Sequence, residues 1–345
     1  MSRHDELTIV DRFVERVPEY HREVAVNYYV ALKTKRFVIV AGPRNLNKMG
    51  LARGLAAVLV GEPGSQWSLF QAHPWWATRT GAPGQFAVAH ARFTNLKLLD
   101  VIEAASASEA AGLPLPFFVG IERMSPAEAV CYFDDLPEDR LWQPGGAVVQ
   151  IRVPHNLYVT GSLDLDGKGG LVQSQGLHRH AILIRLHSDD AAPLVEPGTQ
   201  SEPGPDWQPG FVRSRIHRGD QARAKLAGIL PDHCAPLAPL DELLRRIGVE
   251  NFPASVYEEA WLYVANAFDG DGRGLFVEPA LENLAIAQDY AILQSVLPAV
   301  ITGWLESPTR LINEVGQYLS PCFPRAYASI EQLSRQGLAD GPLRG

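Results

Sequence analysis

Up to about residue 187, short apolar runs alternate with stretches whose apolar positions recur every three or four residues. The runs predict buried strands and the stretches predict helices between them. Ile9, Phe13 and Val14, then Val24, Tyr28, Tyr29 and Leu32, predict two amphipathic helices over residues 4–35. Phe37-Val38-Ile39-Val40 is a β-branched and aromatic run of the kind found in buried parallel strands; Gly42-Pro43 breaks it, and Leu51, Leu55, Val58 and Leu59 then recur at helical spacing. Further strands are predicted at 67–71, 115–121, 156–162 and 181–186, with a helix over 95–111 that Gly112-Leu113-Pro114 ends. Ser125-Pro126-Ala127-Glu128 has the form of a capping box and opens a helix running to about Leu136. Five strands with interleaved helices predict a parallel sheet.

Residues 188–212 break this rhythm with Pro, Gly and acidic residues and read as a linker or long loop. Beyond them every periodic stretch is helical: 222–230, 240–247, 256–268, 287–301, 311–319 and 328–337. The expected division is therefore 1–35 as helices packing on the core, 36–187 as an α/β core, 188–212 as the linker and 213–345 as an all-α region.

Composition narrows the function more than the fold. Hydrophobic content of 46% with 20% charged residues is that of a globular chain able to bury a full core. No apolar run approaches the ~20 residues of a membrane span, and the charged start MSRHDELTIVDRF is unlike a signal peptide, so a cytoplasmic protein is expected. A net charge of −8 argues against nucleic-acid binding by the whole surface, leaving room for a local basic patch. Cys131, Cys234 and Cys322 are scattered, with no zinc spacing, and read as free thiols; no metal site is expected.

The candidate chemistry lies in Arg36–Leu59, a strand, loop and helix in the order a phosphate-binding loop requires. In the pattern G-x-x-x-x-G-K-[ST], backbone N–H groups cradle phosphates, the Lys holds the terminal ones and the hydroxyl ligates magnesium. Here the residues are Gly42, Pro43, Arg44, Asn45, Leu46, Asn47, Lys48 and Met49, so the first Gly and the Lys are present while the second Gly is Asn47 and the hydroxyl is Met49. Ligands of open α/β sheets collect at the carboxyl ends of strands, which makes Glu122-Arg123 the second place to look. Trp75 and Trp76 fit either a ligand-stacking surface or a hydrophobic plug; without a partner motif the plug is the simpler reading.

Taken together, these segments resemble the AAA+ ATPase domain of the McrB type, the motor subunit of modification-dependent restriction systems. Phe117–Leu136 resembles that family's Walker B strand and following helix, Val153–Asp166 its sensor strand, and Leu177–Leu186 its arginine-bearing segment and final strand. Ala291–Pro298 and Phe323–Leu338 are similar to its closing motifs, so the resemblance spans roughly residues 20–340, in order. It implies an AAA+ P-loop fold, a five-stranded parallel sheet sandwiched by helices and followed by an all-α lid. ATP or GTP as ligand, ring-forming AAA+ partner subunits, a nuclease partner and DNA as distant substrate are implied as well.

The departures from the family pattern fall on its catalytic positions. By the resemblance, the Walker B Asp falls on Glu122, the catalytic Glu on Arg123, the sensor Asn on Asp164 and the second-sensor Arg on Ser255. A guanidinium cannot accept a proton from water, and a thioether cannot ligate magnesium, which takes oxygen. Asn47 can adopt the left-handed conformation of the missing Gly, though its side chain crowds the phosphate path. Two compensating ion pairs are expected, Arg123–Asp164 and Lys48–Glu122. Arg179, flanked by His178 and His180, stands where AAA+ proteins place an arginine that reaches a neighbouring subunit's nucleotide; it equally suits a strand-end arginine that caps carbonyls or faces solvent.

The function expected is a hydrolysis-deficient AAA+ scaffold or regulatory subunit of a homo- or hetero-oligomer, in DNA restriction or genome defence, holding nucleotide weakly or without magnesium if at all. The alternatives are an active nucleotide-hydrolysing motor acting on DNA and a monomeric binding module with a closed nucleotide cleft.

Overall fold

The computed structural model describes residues 6–61, 66–72, 85–112, 115–125, 129, 133, 140–142, 148–150, 152–164, 181–191, 207–233, 253–303, 308–320 and 322–335. Two compact units divide between Arg215 and Ile216.

The first unit is built on a five-stranded, all-parallel sheet. Its strands are β1 (Phe37–Gly42), β2 (Trp67–Gln71), β3 (Phe117–Met124), β6 (Leu157–Asp164) and β7 (Ile182–Arg185), in the spatial order β2-β3-β6-β1-β7. The apolar runs read from the sequence are these strands, and β6 extends two residues further, so that Asp164 becomes its last residue, paired with Gly42 of β1. A separate antiparallel pair, β4 (Arg140–Trp142) and β5 (Val148–Gln150), was not anticipated; its strands of three residues are too short to show a period.

Both faces of the sheet are covered. On one, Phe37, Ile39 and Ala41 of β1, Val119 and Ile121 of β3 and Val159 and Leu163 of β6 pack with Leu98, Val101, Ile102 and Ala105 of one helix, Gln85–Ala110. That helix begins ten residues before the 95–111 expected from the pattern. The other face takes helices α1 (Glu6–Arg16), α2 (Arg22–Lys35) and α3 (Gly50–Val60): the hydroxyls of Tyr28 in α2 and Thr160 in β6 lie 2.7 Å apart. Trp207–Ser214 is helical although the composition of 188–212 suggested a loop. Phe211 explains the difference, being wholly buried against Tyr158, Tyr29 and Phe118 at ring-centroid separations of 5.1, 5.5 and 6.1 Å. One buried aromatic outweighs the turn-forming residues around it.

A buried ion pair joins the first two helices. Glu6 accepts hydrogen bonds from Lys33 Nζ and, at 3.0 Å, from the Tyr29 hydroxyl, and Lys33 is fully buried. Glu6 sits in the first turn of α1, where a carboxylate complements the helix dipole.

In the second unit the described elements are the helices Gly219–Ile229, a 3-10 turn Pro231–His233, Ala254–Asn266, Ala280–Ala291, a π-helical stretch Ile292–Val296, Leu297–Gly303, Pro308–Leu319 and Pro324–Arg335, with an irregular segment at 267–279 that holds an isolated antiparallel bridge between Phe268 and Gly274. Buried Asp289 accepts the backbone N–H groups of Arg325 and Ala326 at 2.9 Å and so caps the last of these helices. The helix expected at 240–247 lies outside the described residues.

Breaking a buried pair by removing one partner leaves an uncompensated charge, at a cost of about 3–5 kcal/mol. Glu6→Gln should lower the stability of the first unit by that order in urea unfolding of the full chain, and the double exchange Glu6→Leu with Lys33→Met should recover most of the loss. A single-variant loss below about 1 kcal/mol, the value of a surface pair, would contradict the role assigned to Lys33.

Candidate functional site

Gly42, Glu122 and Asp164 end up together at the carboxyl ends of β1, β3 and β6, because parallel pairing places Gly42 beside Asp164 and the end of β3 beside β6. This is the edge at which open α/β sheets bind ligands. The loop from Pro43 to Met49 rises from β1 and enters α3 at Gly50. Gly42 has a steric reason to be Gly, since a Cβ there would lie 2.7 Å from the Leu186 carbonyl oxygen.

Lys48 decides the character of the loop. It is only 5% exposed, and its Nζ donates to the Pro43 carbonyl at 2.7 Å and meets Asp164 Oδ1 at 2.8 Å. Arg44, on the exposed outer side of the loop, approaches the other oxygen, Oδ2, at 3.7 Å. Two cations thus converge on one carboxylate at the place where a phosphate-binding loop would hold its anion. The expected Arg123–Asp164 and Lys48–Glu122 pairs are not formed.

A backbone irregularity explains why Arg123 is elsewhere. Between Ile121 and Met124 the β3–β6 register slips, so that two residues of β3 face Ser162 alone. The extra residue is accommodated by Arg123 adopting φ 57°, a left-handed conformation that costs a non-glycine residue about 1–2 kcal/mol. The Arg123 N–H donates to Ser162 Oγ at 3.0 Å, and the side chain is exposed.

The loop backbone is closed on itself. Leu46 N–H donates to Pro43 O at 3.2 Å, Lys48 N–H to Leu46 O at 3.0 Å and Gly50 N–H to Asn47 O at 2.8 Å, so three donors of the kind that would cradle a phosphate already have partners. Asn47 does not take the left-handed conformation the sequence allowed it, since among the described residues Arg36 and Arg123 alone are positive-φ non-glycines. Its side chain donates instead to Glu19 Oε1 at 3.3 Å, and its carbonyl accepts the Tyr20 hydroxyl at 2.5 Å. Burial, with the charges of Glu19 and Asp190, holds the Tyr20 phenol protonated well above its ordinary range. Sequence reasoning missed Glu19 and Tyr20, which come from the turn between α1 and α2; the only signal was their position just before α2.

Met49 is turned into the core. A Cβ on Gly120 of β3 would lie 2.5 Å from the Met49 methyl, so the thioether packs on the bare backbone of the central sheet. These residues do not fit a magnesium nucleotide: the lysine has a carboxylate partner, the hydroxyl ligand is a buried thioether, and the loop N–H groups are bonded within the loop. Arg179, His178, His180, Trp75 and Trp76 lie outside the described residues. Among the described residues no group of three or more His, Cys, Asp or Glu could hold a metal ion, and no helix is long and apolar enough to cross a membrane.

The fold is α/β, and its five-stranded parallel sheet carries a strand–loop–helix compatible with a P-loop-like fold. No protein-family model matches the chain, and no curated protein matches it.

The left-handed backbone at Arg123 makes a simple test. Arg123→Gly should be at least as stable as the native chain, whereas Arg123→Val should be less stable than the Gly variant by about 1–2 kcal/mol in urea unfolding. Equal stability of the two would show that the bulge relaxes and stores nothing.

Proposed function

We propose that this chain is a hydrolysis-deficient relative of the AAA+ proteins of the McrB type, working as a scaffold or regulatory subunit in an assembly with AAA+ partners. The observation that carries the reading is the Lys48 ammonium held between Asp164 and the Pro43 carbonyl. In a working hydrolase that charge must be free for the terminal phosphates, and a carboxylate near the sheet edge must activate water. Here the lysine is neutralised within the chain, and Arg123, at the activating position by resemblance, is an exposed guanidinium. Genome defence, a nuclease partner and DNA as the distant target follow only from the resemblance.

A second reading, a binding module whose cleft has closed, draws on the loop's internal bonds and on the hold of Tyr20 and Glu19 upon Asn47. The two readings differ in assembly. A mass measurement of the purified chain, alone and mixed with an intact AAA+ protein of the McrB type, gives oligomers on the first reading and a monomer throughout on the second.

Calorimetry with ATP and GTP, with and without magnesium, tests the loss of catalysis common to both. The expected result is no turnover and no magnesium-dependent binding. Arg123→Glu should stay inactive, because Met49 still offers no magnesium ligand and Asp164 still holds Lys48. Steady hydrolysis by the native chain, or by that single variant, would contradict the proposal.

A further inference from the structure

The opposite, amino-terminal end of the sheet carries a cluster that the phosphate-loop reading does not use. Arg36 directly precedes β1, Arg152 and His155 precede β6, and Arg215 reaches in from the end of the first unit. Arg215 Nε donates to Lys33 O at 2.6 Å and its Nη2 to Thr34 O at 3.2 Å, while Arg36 Nη1 donates to Pro154 O at 2.5 Å. Like Arg123, Arg36 is a left-handed non-glycine residue, with φ 62°.

Among the described residues, the charges acting on His155 are three guanidiniums, Arg36, Arg152 and Arg215, and one carboxylate, Glu109. Burial and then Arg36 push the His155 pKa down, which leaves a neutral imidazole able to donate or accept a hydrogen bond at pH 7. Tyr158, wholly buried, lies in the field of Arg215 and Arg36, and its hydroxyl has no hydrogen-bond partner among the described residues. Among the described residues this cluster is net positive, a local reversal of sign on a chain of net charge −8.

Capping accounts for part of this. The α2 carbonyls that Arg215 meets form the negative end of a helix dipole. Capping does not explain Arg152, whose side chain is 78% exposed and whose approach to Glu109 is a long 3.6 Å. Nor does it explain an orphaned hydroxyl, since buried polar groups are normally paired.

We propose that the amino end of the sheet, around Arg36, Arg152, His155 and Arg215, is a binding site for phosphate-class oxyanions. Guanidiniums suit such ligands because their planar fork matches two phosphate oxygens. A free polyphosphate and the backbone of a single-stranded nucleic acid share this chemistry. The site is separate from the loop at the carboxyl ends and does not depend on the function proposed above.

Two probes separate the sources: inorganic pyrophosphate by calorimetry, and a short fluorescent oligothymidylate by anisotropy, both with the full chain at low salt. Binding of pyrophosphate alone assigns a small-molecule site, and binding of the oligonucleotide assigns a nucleic-acid backbone. Arg152→Glu, at an exposed position that should not disturb folding, is expected to weaken binding about tenfold. For the oligonucleotide the same change should make the salt dependence shallower by about 0.7 for each phosphate that is no longer neutralised. Glu109→Gln, which removes the described carboxylate acting on His155 but keeps an acceptor for the His155 backbone N–H, should tighten binding severalfold. Arg12→Glu on α1 makes the same change in net charge as Arg152→Glu and should have no effect. The inference is overturned if neither probe binds the native chain, if Arg152→Glu and Glu109→Gln leave binding unchanged, or if Arg12→Glu weakens it as much as Arg152→Glu does.

Discussion

A lysine ammonium that is 5% exposed needs a partner, and the identity of that partner organises the carboxyl end of this sheet. In a nucleotide-binding loop the partner is phosphate. Here it is Asp164, delivered to Lys48 by the register that sets the end of β6 beside Gly42 at the end of β1. Because the pairing lies within the fold, the loop has no electrostatic need of a ligand. The surrounding features agree: the loop N–H groups bond inward, Met49 packs on Gly120, and Tyr20 and Glu19 hold Asn47 from outside.

The two ends of the sheet treat charge differently. At the carboxyl end Lys48 and Arg44 both have Asp164 within reach. At the amino end, Arg36 and Arg215 donate to backbone carbonyls, and among the described residues Glu109 is the carboxylate acting on His155. Carbonyls supply dipoles and no net charge. Both ends also contain a left-handed arginine, Arg36 at one and Arg123 at the other. Such backbone strain survives only where surrounding structure fixes it. At Arg36 the helix end does so, through its N–H bond to Leu32 O, and at Arg123 the β-bulge does.

Much of the fold was legible in the sequence, because buried parallel strands are continuous apolar runs that the order of residues alone reveals. Phe37–Val40 and Ala181–Leu186 could be read with no knowledge of their neighbours. The place of the loop was legible for the same reason. The ion pairing was not: it depended on a one-residue bulge that turned Arg123 outward and on the last residue of β6 reaching Lys48. No local pattern encodes a register slip, since it depends on how two strands pair and not on either one alone. Trp207–Ser214 was misread because propensity weighed its Pro and Gly while the decisive packing, Phe211 against Tyr158, is tertiary. The pairing of Glu6 with Lys33 was hidden likewise, each looking like an ordinary charge on an amphipathic helix.

The central claim is that the Asp164 carboxylate holds the position a phosphate would take on Lys48. Titration of ATP in the absence of magnesium into the native chain and into Asp164→Asn tests it most directly. The account predicts that the variant binds about tenfold or more tighter, equivalent to about 1.4 kcal/mol, and that adding Lys48→Ala abolishes the gain. Native and Asp164→Asn chains binding ATP equally well would contradict it.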